Sequence, residues 1–265
     1  MAGDRPFVAP ARRAHTSVAI ERAPQILFIQ GAGAGVHDEW DNRLVDSLRR
    51  ELGDGFEVHY PRMPDEADPG YATWGVAIRR EIAALDDGAI VVGHSVGGTL
   101  LVHTLGERPP ERALGAIVLI AAPFVGAGGW AGEEFELPPD LGARLPPGVP
   151  VHVFHGLQDD TAPPSHADRY AAVIPQAHLH LLPGRDHQLN DDLSEVATVM
   201  QRDLATAADR ALPRLSLVRP EAGVQRITGS SVDVERDRSF RDAATGEVPD
   251  AGNGGRDHRD EDRQG

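Results

Sequence analysis

A serine stands between two glycines in Gly93-His94-Ser95-Val96-Gly97, directly after the apolar stretch Ala89-Ile90-Val91-Val92 and directly before a stretch of helix length. A sharp strand-to-helix turn lifts a serine hydroxyl above a sheet and sets it at a helix N-terminus, and glycines two before and two after make that strained turn sterically possible. A serine that merely caps a helix would account for Ser95 and one glycine, not for both. Ser95 is therefore read as a nucleophile, and its chemistry as attack on an ester, amide or similar acyl carbon.

Such a hydroxyl is a weak nucleophile until a base takes its proton, so a histidine is required, normally oriented by a carboxylate. Asp159 and Asp160 follow the apolar run 151–155 at a turn. His187 stands in the loop after the run 178–182, just before the last amphipathic stretch, a place that suits a general base. His166 comes too soon after the carboxylates; His178 and His180 alternate along a strand, a spacing that could serve a metal pair but is more often a polar outer face.

The developing oxyanion needs two backbone N–H donors. Val96, which follows the serine, supplies one; the loop Gly31-Ala32-Gly33-Ala34-Gly35 after the run 25–30 supplies the other, with Ala32 as the expected donor. A dinucleotide-binding reading of that loop fails, because Val36 occupies the last glycine position of G-x-G-x-x-G and no acidic residue ends the run 56–60. Gly31, Gly33 and His94, with Trp130 and Phe135, form the candidate substrate pocket, although aromatics in such a segment equally serve to pin it to the core.

These residues need a scaffold. Apolar runs at 25–30, 56–60, 89–92, 116–121, 151–155 and 178–182 alternate with amphipathic stretches, a βαβ rhythm. The runs 89–92 and 116–121 are apolar without alternation, as strands covered on both faces are. Trp74, Ile78, Ile82 and Leu85 make one stripe of a helix over 71–85, and Leu193, Val196, Val199, Met200 and Leu204 one over 191–204. The expectation is an α/β fold over 23–212, a mostly parallel sheet with helices on both faces. A flexible extension over 1–22 and a polar tail over 213–265, too poor in apolar residues to order itself, flank it.

Taken together, Gln30-Gly31-Ala32-Gly33, Gly93-His94-Ser95-Val96-Gly97-Gly98, His155-Gly156-Leu157-Gln158-Asp159 and His187 resemble the α/β-hydrolase superfamily in identity and order, over about 25–204. The resemblance implies the order serine, acid, histidine. It selects Asp159 over Asp160, because Asp159 lies three residues after Gly156 and four before Pro163. Ala121-Ala122-Pro123-Phe124, Gly129-Trp130 and Phe135-Glu136 are similar to the small, nearly lidless serine hydrolases related to retinoblastoma-binding protein 9. Gln30 departs from the histidine that many members carry before the oxyanion glycine, a change of little consequence when the donor is backbone. The segment 121–150, where larger relatives insert a helical lid, is short and rich in Gly and Pro, which implies a minimal or absent lid and small soluble substrates.

Composition narrows the chemistry further. The 265 residues include no cysteine and no lysine, which removes thiolate metal sites, cysteine nucleophiles, Schiff bases and Ser-Lys pairs. A net charge of −15 repels phosphate backbones and anionic lipid, so neither nucleic acid nor membrane is an expected partner. No run approaches the ~20 apolar residues of a membrane span, so a cytoplasmic protein is expected. The sequence thus predicts a serine hydrolase of small acyl substrates needing neither metal nor cofactor. Its rivals are a catalytically silent binding protein and a cofactor-free lyase or oxygen-chemistry enzyme on the same scaffold.

Overall fold

In the computed structural model of the chain, which describes residues 22–132 and 134–211, all six apolar runs are strands. They are β1 (Gln25–Ile29), β2 (Glu57–His59), β3 (Ala89–His94), β4 (Leu114–Ile120), β5 (Val151–Gly156) and β6 (Ala177–Leu182). Every pairing is parallel and the spatial order is β2-β1-β3-β4-β5-β6. The helices are α1 (Asp41–Leu52), α2 (Tyr71–Ala83), α3 (Ser95–Glu107), the short α4 (Leu141–Arg144), α5 (Ser165–Val173) and α6 (Ser194–Ala211).

The absence of alternation in the central strands follows from burial on both faces. Leu27, Ile29, Val91, Ile117 and Leu119 point to one layer, shared with Trp74 and Ile78 of α2, Leu101 of α3 and Tyr170 of α5. Ile26, Phe28, Ile90, Val92 and Val118 point to the other, shared with Leu44 and Leu48 of α1 and Val196 and Met200 of α6. The edge strands are shorter or half-exposed, as their poorer apolar content requires.

The chain leaves β1 toward β2 on one side and then builds from β3 to β6 on the other, so the direction of winding reverses between β1 and β3. Crevices open outside the carboxyl ends of strands at such a reversal. The glycine loop follows β1 and Ser95 follows β3, so both candidate elements fall at this one place.

One helix start differs from the sequence reading. α6 begins at Ser194 rather than 191, because Leu189, Asn190 and Asp191 hold left-handed φ values of 51°, 59° and 56°, and Asp192 accepts the Ser194 N–H at 3.0 Å. Between β4 and β5 only α4 and a bridge from Val125 to Trp130 occur among the described residues, in keeping with a minimal lid. The expected tail over 213–265 and the extension before Arg22 lie outside the described residues.

Candidate active site

β3 ends on His94 and α3 begins on Ser95, whose φ is 51°. A left-handed serine is strained and survives only where its surroundings force it, as at a turn that aims the side chain. Gly97 supplies much of that force: a Cβ there would lie 2.0 Å from the Gln30 carbonyl oxygen, so the first turn of α3 is pressed on the backbone leaving β1. Backbone cannot yield as a side chain does. Gly97→Ala is therefore expected to cost about 3 kcal/mol or more and to lower Tm by about 10 °C in thermal denaturation, a larger penalty than ordinary overpacking carries.

Ser95 Oγ–H donates to His187 Nε2 at 3.0 Å, and His187 Nδ1–H donates to Asp159 Oδ2 at 2.8 Å. All three side chains are buried, whereas Asp160 is exposed. Asp159 Oδ1 accepts the N–H groups of Thr161 and Ala162 at 2.9 and 2.8 Å, an Asx-type turn that fixes the carboxylate, and His155 Nε2 lies 3.1 Å from Oδ2. The loop carrying His187 is folded on Asp186, whose Oδ1 accepts the N–H groups of Gln188 and Asn190. At Gly156 a Cβ would meet the Arg185 and Asp186 carbonyl oxygens at 2.3 and 2.4 Å, so this glycine lets the acid's turn and the histidine's loop touch.

The loop after β1 is fixed on either side of Ala32. Gly31 N–H donates to Asp41 Oδ2 and Gly33 N–H to the Glu66 carbonyl, each at 2.6 Å. The Glu66 carboxylate accepts Gly35 N–H at 2.9 Å and Gln30 Nε2 at 2.7 Å, while Gln30 Oε1 accepts Met63 N–H at 3.0 Å. Gln30 thus serves as a strut. The Ala32 N–H itself has no protein acceptor among the described residues, and Val96 N–H lies in the first turn of α3, where a helix leaves N–H groups unpaired.

Burial pushes the Asp159 carboxyl up, but hydrogen bonds from His155, His187 and Ala162 N–H and the charge of His187 outweigh it and hold the group well below the usual carboxylate range. Burial lowers His187 below the ordinary imidazole value; the Asp159 hydrogen bond opposes this and the charge of His94 adds to it. A protonated His187 could not take the Ser95 proton, so activity depending on it is lost as pH falls through its folded pKa. The acid limb of kcat/KM is expected below the ordinary histidine value of 6.5; a limb at or above that value in a pH–rate profile contradicts this environment.

These groups border a cleft of about 270 Å³, walled by Gly31, Ala32, His94, Ser95 and His187, with Val36, Trp40, Thr161 and Gln188 toward its mouth. Trp40 is 48% exposed, with the Arg43 guanidinium 5.6 Å from its ring centre. Three residues of the expected pocket do not wall it. Gly33 turns away to bond Glu66, Trp130 is tied through its N–H to the Phe124 carbonyl and sets its ring edge-on to His166, and Phe135 packs on the core. Both aromatics pin their segment down. A larger cavity of about 450 Å³ beside Arg79, Leu105 and Arg112 has no histidine in its lining, and the hydroxyl there, that of Thr104, donates to the Leu100 carbonyl.

Sequence reasoning missed Trp40, Asp41, Glu66 and His155. The run His37-Asp38-Glu39-Trp40-Asp41 was a signal for the first two, since polar residues crowding a helix start beside a glycine loop face whatever the loop faces. His178 and His180 are not a plain polar face: both rings stack, on His152 and Phe154 respectively, and His152 Nε2 meets Asp203 at 2.6 Å. No group of three or more His, Asp or Glu among the described residues has the geometry to hold a metal ion. No helix among them is long and apolar enough to cross a membrane.

A doubly wound parallel sheet, with a serine on the turn after β3 and a histidine and carboxylate from later loops brought to it, has the architecture of a hydrolase of the α/β type. The chain belongs to the alpha/beta hydrolase family, whose model matches residues 26–244. Solved structures share the fold at low identity. The ydeN gene product of B. subtilis is 20% identical, with a TM-score of 0.56 over 69% of this chain and 99% of that one. A meta-cleavage product hydrolase from Pseudomonas fluorescens IP01 is 15% identical, with a TM-score of 0.53 over 71% of this chain and 92% of its own. A protein from Nitrososphaera gargenis, described among carboxylesterases, is 16% identical, with a TM-score of 0.50 over 71% and 92%. No curated protein matches the sequence significantly.

Proposed function

We propose that the chain is a serine hydrolase that cleaves a carboxylic ester or related acyl bond of a small soluble substrate through an acyl-enzyme intermediate. The observation that carries this reading is the unbroken line from Ser95 Oγ through His187 to Asp159, at 3.0 and 2.8 Å, opening on a cleft. Ser95 attacks the carbonyl carbon while His187 Nε2 takes its proton, and Asp159 orients the ring and balances the imidazolium. The N–H groups of Ala32 and Val96 hold the oxyanion. His187 returns the proton to the departing alcohol, and water, activated by the same histidine, then releases the acid and restores Ser95.

An open cleft with a half-exposed Trp40 at its mouth and no inserted lid among the described residues favours short, soluble acyl groups over long chains. The short segment between β4 and β5 also supports a place among the small lidless serine hydrolases similar to retinoblastoma-binding protein 9. The net charge of −15 favours an enzyme of small molecules over one that binds nucleic acid or lipid, and a cytoplasmic location is part of this reading. Assay against p-nitrophenyl esters from acetate to octanoate tests the reading: hydrolysis falling with chain length supports it, and no hydrolysis of any member overturns it.

A further inference from the structure

Beneath the cleft lies a second acid–histidine pair that the proposed reaction does not use. The side chains of Asp41 and His94 are 0% and 2% exposed. His94 Nδ1–H is directed at Asp41 Oδ2, 3.0 Å away, with Oδ1 at 2.9 Å but not in line for a hydrogen bond. The opposite ring nitrogen, Nε2–H, donates to the His187 backbone carbonyl at 3.1 Å. The same Oδ2 accepts the Gly31 N–H at 2.6 Å. The His187 carbonyl only accepts, and with Asp41 ionised its carboxylate only accepts too, an arrangement that calls for hydrogen on both nitrogens of His94, an imidazolium.

We propose that Asp41 and His94 form a buried ion pair that positions the site, with His94 holding the backbone of the general base and Asp41 holding the oxyanion loop. The inference rests on the reading of Ser95 as nucleophile. The pair joins four separate segments: the loop after β1 through Gly31, the first residue of α1, the end of β3 beside Ser95, and the loop after β6 through His187. Among the described residues no other hydrogen-bonded pair of side chains ties the oxyanion loop to the base. Stability is a poor explanation for it, because a buried ion pair seldom beats apolar packing of the same volume, and Asp41 Oδ1 is left without a directed hydrogen bond. Such a cost is tolerated where geometry must be held within a fraction of an ångström.

The pair also acts through charge. Burial pushes His94 down, but the charge and hydrogen bond of Asp41, the His187 carbonyl and the charge of Asp159 raise it above the ordinary imidazole value. Its ring centre is 5.0 Å from that of His187. The titratable groups facing His187 are Asp159 and His155 from β5 and its following turn, and His94 from β3 with Asp41 of α1 behind it. Of these, His94 and His155 oppose a second positive charge on His187, and Asp159 favours it.

The test compares wild type, Asp41→Asn and His94→Gln by the pH dependence of ester hydrolysis, together with the imidazole ¹⁵N spectrum of the wild-type chain. Asp41→Asn keeps an oxygen for Gly31 N–H but removes the charge that protonates His94, and His94→Gln removes the imidazolium itself. In both, the acid limb of kcat/KM should move upward by about half a unit to one unit. kcat should fall by about 10- to 100-fold with KM changed less than about threefold. The wild-type spectrum at pH 7.5 should contain one imidazolium protonated at both nitrogens, absent from His94→Gln. An active wild type with unmoved limbs in both folded variants, or without that imidazolium, overturns the dyad alone; should neither variant fold, the wild-type spectrum decides. A wild type that neither hydrolyses esters nor reacts with a fluorophosphonate overturns the Ser95 reading and the dyad's role with it.

Discussion

Ser95→Ala is expected to lower kcat/KM for activated short-chain esters by about 10⁴-fold or more, while Tm stays within about 2 °C of wild type. The asymmetry follows from the surroundings of Ser95. Its hydroxyl makes one side-chain hydrogen bond, to His187, in a place that already faces the cleft, so losing it orphans no deeply buried group. Alanine has the same Cβ as serine and meets the same backbone at φ 51°, so the strain of the turn is unchanged. What disappears, on the proposed reading, is the atom that forms the acyl bond. Residual turnover would come from the N–H groups of Ala32 and Val96 acting on water held in the cleft. A variant retaining more than about a tenth of wild-type activity, with fold intact by circular dichroism, would move the nucleophile elsewhere.

The second large effect is expected at the acid. Asp159→Asn should lower kcat by about 10⁴-fold, the loss typical when such a carboxylate is replaced by its amide. Asparagine can keep an oxygen toward the N–H groups of Thr161 and Ala162, but it then turns an NH₂ toward His187 Nδ1. The ring answers by moving its proton to Nε2, which can no longer accept from Ser95. Asp160, exposed and not among the residues that wall the cleft, offers the matched control: Asp160→Asn should stay within about twofold of wild type in steady-state kinetics. A reversed ranking of the two variants would reassign the acid.

Much of this arrangement is written in local sequence. Ile90-Val91-Val92 and Ile117-Val118-Leu119-Ile120 read as buried parallel strands because both faces of the sheet are covered, a condition that leaves its mark residue by residue. Ser95 was legible because Gly93 and Gly97 on either side are a steric necessity, and Gly97 against the Gln30 carbonyl shows what that necessity is. The cleft walls were not legible in the same way. Trp130 and Phe135 lie in the segment where a lid would sit, yet Phe135 packs on the core and Trp130, though exposed, sets its ring against His166, whereas Trp40 reaches the mouth from the turn before α1. Which aromatic faces a cleft depends on how loops fold back, a long-range property with no period in the chain. The Asp41–His94 pair, 53 residues apart, was hidden for the same reason, since nothing in either neighbourhood announces the other.

The central claim is that Ser95 is a nucleophile activated by His187. It is tested most directly by treating the native chain with a fluorophosphonate, then measuring intact mass and mapping the labelled peptide. The account predicts a single phosphonyl adduct located on Ser95, formed at neutral pH, absent from Ser95→Ala and strongly slowed in Asp159→Asn. No adduct on the folded wild-type chain, or an adduct on another residue with Ser95 unmodified, would contradict it.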